Sequence, residues 1–272
     1  MMYKNLLKYK ILNNILKKEI KENTKSIIKG GNSNIYIHKN LKTLIKEQKY
    51  DINAQFELLF YQKYQRNFLP KFYGYTIEEN NLFIKLEYFK EGDLLNYLLG
   101  VPRICNIKVK KKLFQKKIIM TKSLIEIYKF LNINKIIHSD IKPDNIVVKN
   151  SKLYLIDFAS IHFIKNNNFL NLTRDIGTEK YIPEEIFKYD LITSKTDIWS
   201  FGILLYILET SEHPYVFNIY DNDTDKLYEE IEFNIEYKIK NDKLKHLLRN
   251  MLIKEHTRFN LEQVLNHDYF NF

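Results

Sequence analysis

Residues 136–157 read IIHSDIKPDNIVVKNSKLYLID, and this stretch decides how the rest of the chain is interpreted. It begins with a short apolar run, continues as a polar loop and ends in two strand-like runs. Within eight positions the loop holds an acid, Asp140, a base, Lys142, and an amide, Asn145. A second acid, Asp157, follows twelve residues after that amide, at the end of the second strand-like run. Ionisable and metal-binding side chains are therefore concentrated in one loop and one strand end.

This combination of side chains suits phosphoryl transfer. Asp140 can accept a proton from a hydroxyl group, and Lys142 can neutralise a phosphate. Asn145 and Asp157 offer oxygen atoms, which are the ligands that Mg²⁺ prefers in proteins. The alternative is a polar surface loop without chemistry, which is common for segments rich in Asp, Asn and Pro.

The residues after Asp157 are Phe158 and Ala159, so the strand ends close to an Asp-Phe-Gly motif. With the preceding loop and hairpin, this order and spacing resembles the catalytic loop and metal-binding motif of the eukaryotic-type Ser/Thr protein kinase family. The resemblance extends over roughly residues 26–270. It implies an α+β, bilobal fold, with a small β-rich N-lobe that carries one main helix and a larger, mostly helical C-lobe. The implied domains are a basic N-terminal extension at 1–25 and a kinase domain at 26–272, divided into lobes at about 26–88 and 89–272.

Length and composition fit one catalytic domain of this kind. The chain has 272 residues, of which 45% are hydrophobic, an ordinary fraction for a globular core. The longest apolar run in its C-terminal half, residues 203–208, is far too short to span a bilayer, so no membrane span is predicted. A single cysteine, Cys105, excludes an internal disulfide, and the N-terminal residues show no secretory signal. These features indicate an intracellular, cytoplasmic protein, in the host cytoplasm if the source is viral.

Positive charge is concentrated at the N-terminus. The net charge is +10, and residues 1–50 hold twelve lysines against three glutamates, a net charge of +9. This basic region could dock an acidic partner, and residues 6–16 carry a helical apolar stripe among the lysines. No aromatic residues interleave a basic stripe, so no specific nucleic-acid binding is predicted. A role in solubility is the simpler interpretation.

Residues 27–37, IIKGGNSNIYI, predict two strands around a glycine-rich turn. Small residues in such a turn let backbone N–H groups approach phosphates, although a plain hairpin accounts for the same residues. In the kinase resemblance this is the phosphate-binding loop G-x-G-x-x-G-x-V, of which only Gly30 keeps a glycine. Ile28 and Ser33 replace the other two glycines, and Ile35 stands for the valine above the nucleotide. The loop is therefore expected to be less pliant than is usual in the family.

A strand over residues 41–49 and a helix over residues 52–64 are predicted next. The resemblance makes Lys46 the lysine that contacts the α- and β-phosphates of ATP, and Glu57 its ion-pair partner on the helix. A lone strand lysine is otherwise usually solvated. Leu44 stands where the family has a small alanine beside adenine, which implies a tighter base pocket.

Strands over residues 68–75 and 80–89 are predicted to lead into the hinge at which kinases hold adenine. The remaining ATP-binding residues that the resemblance implies are Leu86, Glu87, Phe89, Asp93 and Val147. Leu86 would be the gatekeeper, and the backbone of residues 87–89 would form hydrogen bonds with the edge of adenine. Asp93 would contact the ribose. An ordinary buried edge strand and turn is the competing interpretation.

The resemblance assigns Asp140, Lys142 and Asn145 to catalysis, and Asn145 with Asp157 to Mg²⁺. A lysine two residues after the catalytic aspartate matches the Ser/Thr-specific pattern. Ser139 replaces the arginine that usually pairs with an activation-segment phosphate, so switching by phosphorylation is not expected to be obligatory. The candidate phosphosite is Thr173, although a plain solvated threonine is at least as common.

The C-terminal half adds further expectations. Helices are predicted over residues 108–132, 197–209 and 261–267. The resemblance implies three contacts: Thr178 with Asp140 and Lys142, Glu185 with Arg258, and a buried Asp197 with the backbone of the catalytic loop.

Two main functions follow from this pattern. The first is an ATP- and Mg²⁺-dependent Ser/Thr protein kinase of class EC 2.7.11 that acts on protein substrates. The second is a pseudokinase that acts as a binding or scaffold module, an alternative supported by the eroded glycine-rich turn, Leu44 and Ala159. A small-molecule kinase of similar architecture is a third possibility, and the peptide-side loop at 178–185 argues against it.

Overall fold

The computed structural model describes residues 18, 20, 22–29, 33–99, 107–163, 169–171, 177–216 and 224–271. The predicted phosphate-loop residue Gly30, the phosphosite candidate Thr173, Cys105 and the apolar stripe at 6–16 lie outside these residues. The chain divides into two compact units. One runs to Gly92 and also takes in Val147–Lys149 and Tyr154–Ala159, and the other holds Asp93–Ile146, Asn150–Leu153 and the chain from Ser160 onward.

The strands and helices of the described residues follow one another in a mixed order. The strands are β1 (Thr24–Lys29), β2 (Ser33–His38), β3 (Thr43–Lys49), β4 (Phe72–Glu78), β5 (Asn81–Glu87), β6 (Ile136–Ile137), β7 (Ile146–Lys149), β8 (Lys152–Leu155), β9 (His162–Phe163), β10 (Phe169–Asn171) and β11 (Leu191–Thr193). The helices are α1 (Ile52–Lys63), α2 (Leu94–Leu99), α3 (Ile107–Ile133), α4 (Glu184–Tyr189), α5 (Thr196–Thr210), α6 (Thr224–Lys238), α7 (Asp242–Met251) and α8 (Leu261–Leu265). This content agrees with the predicted α+β class.

The first unit is built on a five-stranded antiparallel sheet with the order β1-β2-β3-β5-β4. β3 and β5 are interior strands, and β5 buries Leu82, Ile84 and Leu86 almost completely. β-branched and aromatic residues favour this pleated, half-buried setting. Lys46 of β3 pairs with Ile35 of β2 on one side and with Ile84 of β5 on the other. Its side chain therefore starts from the middle of the sheet.

α1 has a capped N-terminus and one buried, largely apolar face. The side chain of Asp51 accepts a hydrogen bond from the backbone N–H of Ala54 at 2.9 Å, which satisfies a donor of the first turn. Ala54, Leu58 and Tyr61 are buried, and Glu57 lies on the same face. Helical spacing thus places the carboxylate of Glu57 on the buried apolar face of α1. A buried carboxylate needs a hydrogen-bonding or charged partner.

In the second unit α5 is the most deeply buried helix among the described elements. Its residues from Thr196 to Leu208 are all buried, and Trp199 is completely inaccessible to solvent. A helix that is apolar on every side is expected in a core. The predicted helix at 197–209 therefore differs from the observed one by a single residue at each end.

Some predicted boundaries were wrong. The strand expected at 68–75 begins only at Phe72, because residues 67–69 form a turn before Pro70, which has no N–H for a strand ladder. The last helix ends at Leu265 rather than at residue 267. β1 begins at Thr24 rather than at residue 27, and Thr24 and Ser26 pair with β2. No helix in the described parts of the chain is long and apolar enough to cross a bilayer.

The predicted pair of Glu185 and Arg258 is confirmed and fully buried. Arg258 donates to the two carboxylate oxygens of Glu185 at 2.6 and 3.0 Å and to the backbone carbonyls of Ile253 and Lys195. Its guanidinium also lies 5.2 Å from the centre of the Trp199 ring. The planar fork of arginine suits this arrangement, and the compact ammonium of lysine does not.

Replacing this arginine by lysine is expected to lower the free energy of unfolding by about 3 kcal/mol, because hydrogen bonds to a buried carboxylate are lost. Urea denaturation of Arg258→Lys measures the change. The control is Arg249→Lys, since Arg249 makes the same kind of contact with Glu232 on the surface. An exposed pair of this sort contributes less than about 1 kcal/mol. Equal losses in both variants would contradict the assigned role of the buried pair.

Candidate active site

Lys46 lies at the centre of a buried charge cluster in the first unit. Its ammonium donates to the two oxygens of Glu57 at 2.9 and 2.8 Å and to Oδ1 of Asp157 at 2.9 Å. β3 supplies the lysine, α1 supplies the glutamate, and Asp157 follows β8. The predicted pair of Lys46 and Glu57 is therefore present, although only eleven residues separate the two positions.

A fourth member of this cluster, Gln48, was not among the predicted site residues. Its amide donates to Oε2 of Glu57 at 2.6 Å. Side chains two residues apart in a strand point to the same face, so the position of Gln48 relative to Lys46 was a usable signal. Gln48 gives the buried carboxylate of Glu57 a hydrogen-bond donor in addition to the ammonium of Lys46.

Burial and charge act against each other in this cluster. Burial alone would lower the pKa of Lys46, but the carboxylates of Asp157 and Glu57 outweigh it and raise that pKa above its ordinary value. Burial raises the pKa of Glu57, and the bonds from Lys46 and Gln48 oppose this rise. The ammonium is therefore charged at neutral pH. The side chain of Asp157 is 43% exposed to solvent, whereas that of Lys46 is only 10% exposed.

Phe158 fixes the position of Asp157. Its ring is completely buried, stacks on Phe60 with centres 3.7 Å apart and meets Tyr61 edge to face at 5.3 Å. Asp157 itself has φ +62°, a left-handed conformation that a non-glycine residue adopts only when its surroundings enforce it. Ala159, which stands in the place of the family's glycine, does not have a positive φ, so its side chain introduces no backbone strain there.

A second cluster forms around Asp140 in the other unit. Oδ1 of Asp140 accepts from the hydroxyl of Thr178 at 2.9 Å, and Lys142 donates to that hydroxyl at 2.6 Å. Lys142 also lies 3.0 Å from Oδ2 of Asp140. Asn145 donates from its amide to Oδ2 and to the backbone carbonyl of Asp140, both at 2.8 Å. The predicted contacts of Thr178 with Asp140 and Lys142 are confirmed.

The amide of Asn145 has the orientation that a metal ligand requires. Residues 143–145 form a 3₁₀ turn that starts with proline, and Asn145 is buried within it. Because both side-chain hydrogen bonds of Asn145 leave from the amide nitrogen, the oxygen is the atom that remains for a cation. Among the described residues no group of three His, Cys, Asp or Glu side chains could hold a metal ion by itself. Mg²⁺ is commonly held by one or two protein oxygens together with substrate phosphates and does not need such a group, so the amide oxygen of Asn145 and the carboxylate of Asp157 are each suitable as a single ligand of this cation.

Asp197 holds the backbone of the same loop. Its two carboxylate oxygens accept from the N–H groups of His138 and Ser139 at 2.7 and 3.0 Å. Burial raises the pKa of Asp197 to about 6, and these two hydrogen bonds oppose the rise. Ser139 has φ +67°, which is costly for a serine, so the two hydrogen bonds to Asp197 offset backbone strain in the residue before Asp140.

Asp197→Asn is expected to destabilise the second unit by about 1–3 kcal/mol, because the new amide must turn a donor toward one backbone N–H. Chemical denaturation provides the measurement, and Asp190→Asn, at an exposed left-handed position, provides the control. Unchanged stability of the Asp197 variant would show that its two bonds do not hold the loop.

Gly177, directly before the peptide-side loop, lies against the catalytic loop. This glycine has φ +66°, and an added Cβ would lie 2.5 Å from the carbonyl oxygen of Ser139 and 2.5 Å from the side chain of Ile182. Any other residue would have to push a backbone atom away. The contact keeps the adjoining Thr178 beside Asp140.

Most of the other predicted nucleotide-binding residues belong to strands of the first unit. Ile28 pairs with Ile35, Leu44 pairs with Leu86, Ser33 begins β2 and Val147 is buried in β7. Asp93 belongs to the second unit, where both of its oxygens accept from Asn96 at the start of α2. The predicted set is therefore not gathered in one unit.

The three hinge residues 87–89 differ in whether their backbone N–H groups already form hydrogen bonds. The N–H groups of Glu87 and Tyr88 donate to the carbonyls of Lys71 and Lys42, each at 2.9 Å. The N–H of Phe89 has no hydrogen-bond partner among the residues that the structure describes. Of the three predicted adenine-edge residues, Phe89 therefore offers its N–H without breaking an existing bond.

Known proteins match this chain in sequence. Calcium-dependent protein kinase 6 of Plasmodium berghei is 28% identical over 242 residues, 85% of this chain and 15% of that protein. Aurora kinase of Schizosaccharomyces pombe is 26% identical over 235 residues, 84% of this chain and 63% of that protein. Myosin light chain kinase 2 of Mus musculus is 30% identical over 151 residues, 52% of this chain and 24% of that protein. The chain thus spans less than two thirds of the length of each of these relatives.

The family whose sequence pattern fits the chain is described as the protein kinase domain, and the match runs over residues 23–270. It includes both of the charge clusters around Lys46 and Asp140. The match covers nearly the whole sequence, so this chain belongs to the protein kinase domain family.

Proposed function

We propose that this chain is an active Ser/Thr protein kinase, which transfers the γ-phosphate of ATP to serine and threonine hydroxyls of proteins through a kinase domain at residues 26–272. Membership of the family supports ATP as the phosphate donor and proteins as substrates. Relatives named as calcium-dependent, Aurora and myosin light chain kinases support the hydroxyl specificity.

One observation carries the proposal. Oδ1 of Asp140 already accepts a hydrogen bond from the hydroxyl group of Thr178. The ammonium of Lys142 donates to the oxygen of this hydroxyl group. A substrate serine or threonine presents the same group. A carboxylate oxygen with a neighbouring ammonium can therefore orient an attacking hydroxyl and take its proton.

The remaining residues would act by position and charge. Lys46 would hold the α- and β-phosphates with an ammonium that Glu57 keeps in place. Lys142 would neutralise charge on the transferred phosphoryl group. Asn145 and Asp157 would hold Mg²⁺, which when bound neutralises the charge of the phosphate oxygens. The chain itself forms no covalent bond to the substrate in this proposal.

The test is transfer of radiolabelled phosphate from ATP to dephosphorylated casein and histone, followed by phosphoamino-acid analysis. Label on serine or threonine that requires Mg²⁺ supports the proposal. Label on tyrosine alone would refute the specificity, and no label on any protein, with added calcium or without it, would refute the activity.

The competing function is that of a pseudokinase that binds partners without catalysis. Its support is the substituted phosphate loop, in which Ile28 and Ser33 take glycine positions. The intact cluster of Lys46, Glu57 and Asp157 argues against it. A thermal-shift titration distinguishes the cases, because a ligand that binds the folded state raises the melting temperature. Stabilisation by Mg-ATP without phosphate transfer would favour the scaffold function.

A further inference from the structure

His213 lies in the second unit, just after α5 and at the edge of the peptide-side loop. Its Nε2 is 2.9 Å from the backbone carbonyl oxygen of Lys180, and its Nδ1 is 2.8 Å from that of Tyr215. The hydroxyl of Tyr215 donates to the same Lys180 carbonyl at 2.8 Å. One backbone oxygen of the loop therefore receives two side-chain donors from a segment 33 and 35 residues away in sequence.

The chemistry of the ring assigns the hydrogen on Nε2. A carbonyl oxygen can only accept, so a ring nitrogen that bonds to it must carry a hydrogen, and a neutral ring has one hydrogen for its two nitrogens. With that hydrogen on Nδ1, Nε2 would face the Lys180 carbonyl with nothing to donate. A neutral ring protonated on Nε2 donates to Lys180 and can accept at Nδ1 from the N–H of Tyr215, which lies 3.4 Å away. The doubly protonated ring donates to Lys180 and to the Tyr215 carbonyl. Nε2 thus serves the Lys180 carbonyl in either charge state.

The surroundings of the ring keep it in place. The rings of Tyr181 and Tyr215 meet it edge to face, with centres 5.3 and 4.4 Å away. Burial lowers the pKa of His213, the two carbonyls and Glu230 raise it, and the charge of Lys180 lowers it. The neutral ring is therefore the prevailing form at pH 7.

The loop that His213 holds is fixed at its other end by the proposed catalytic residues. Thr178, two residues before Lys180, bonds Asp140 and Lys142. The backbone carbonyl of Tyr181, the next residue, accepts from Ser200 at 2.7 Å. A change at the Lys180 carbonyl would therefore move a short segment directly attached to the site that receives the substrate hydroxyl.

We propose that His213 is a positioning residue, which holds the peptide-side loop through the Lys180 carbonyl and thereby sets the affinity for the protein substrate. The effect on substrate affinity rests on the proposed kinase function. The hold on the loop does not, and it can be measured in a protein without activity.

Replacing His213 by glutamine or by asparagine distinguishes the contribution of Nε2 from that of Nδ1. The nitrogen of a glutamine reaches about as far as Nε2, whereas that of an asparagine reaches about as far as Nδ1. His213→Gln can keep the bond to Lys180, and His213→Asn cannot. The two variants have the same chemical groups, so a difference between them reports on that bond.

The rate of trypsin cleavage after Lys180 measures how firmly the loop is held. Lys180 is exposed, and its carbonyl is the group that trypsin attacks. In His213→Asn the rate of cleavage after Lys180 is expected to rise about tenfold, which corresponds to about 1.4 kcal/mol, with little change in His213→Gln. Tyr215→Phe should also speed cleavage, since it removes the second donor. Equal cleavage rates in both His213 variants, or rates equal to that of the unchanged protein, would overturn the hold on the loop.

Steady-state kinetics test the consequence for substrate. The KM for casein is expected to rise about tenfold in His213→Asn and little in His213→Gln, while the KM for ATP stays the same in both. A fall in kcat with unchanged KM for casein would overturn the role in substrate affinity. If the unchanged protein transfers no phosphate, the proposed function fails, and the cleavage rates still decide whether His213 holds the loop.

Discussion

Asp140→Asn is expected to lower kcat by about 100- to 10,000-fold, the range that a positioned acid or base contributes, while the protein stays folded. Oδ2 of Asp140 accepts from Lys142 and Asn145, so the oxygen of the new amide would remain on that side. The amide nitrogen then replaces Oδ1 and faces the hydroxyl of Thr178. A nitrogen that carries two hydrogens cannot take a proton from a substrate hydroxyl.

The fold survives this change because Thr178 can reverse its role. A hydroxyl can accept as well as donate, so it can turn and accept from the new amide. Phosphate transfer to casein and urea denaturation measure activity and stability on the same sample. The matched control is Asp144→Asn, four residues along the same loop and exposed, for which we expect a stability change within about 0.5 kcal/mol. Near-normal kcat in Asp140→Asn would show that this carboxylate does not orient the hydroxyl.

The second large effect is expected at the buried charge cluster. Lys46→Met should lower the free energy of unfolding by about 3–5 kcal/mol, because the carboxylate of Glu57 would stay buried without its ammonium. The same variant should lower kcat/KM by at least about 100-fold, since it removes the charge that we propose to hold the α- and β-phosphates. Denaturation and steady-state kinetics measure the two effects separately.

A double variant separates charge burial from catalysis. Adding Glu57→Gln to Lys46→Met removes the unpaired charge, so most of the lost stability should return while activity stays low. Lys49→Met, exposed on the same strand, is the matched control for the loss of a lysine. If Lys46→Met unfolds at the same urea concentration as the unchanged protein, the buried pair does not stabilise the sheet and helix.

The sequence predicted structure best where a local pattern imposes it. Two apolar runs around a glycine-rich turn predicted the paired strands β1 and β2, and the apolar run after Asp197 predicted α5 nearly to its ends. Prediction was less accurate at Phe68, where a proline two residues later delays the strand, and at the end of α8. Such boundaries depend on which backbone groups find partners, and distant parts of the chain decide that.

The sequence by itself determined which chemical groups the chain carries and which local elements present them: a lysine on a strand, a glutamate on a helix, and an acid, a base and an amide in one loop. Only the tertiary structure decided which of these groups touch. Lys46 meets Asp157 across 111 positions, Asp197 bonds a loop backbone 58 and 59 positions away, and Lys180 is held by His213. The physical reason is that periodicity reports burial along one element, whereas a buried charge or carbonyl takes its partner from whichever element the folded core brings beside it.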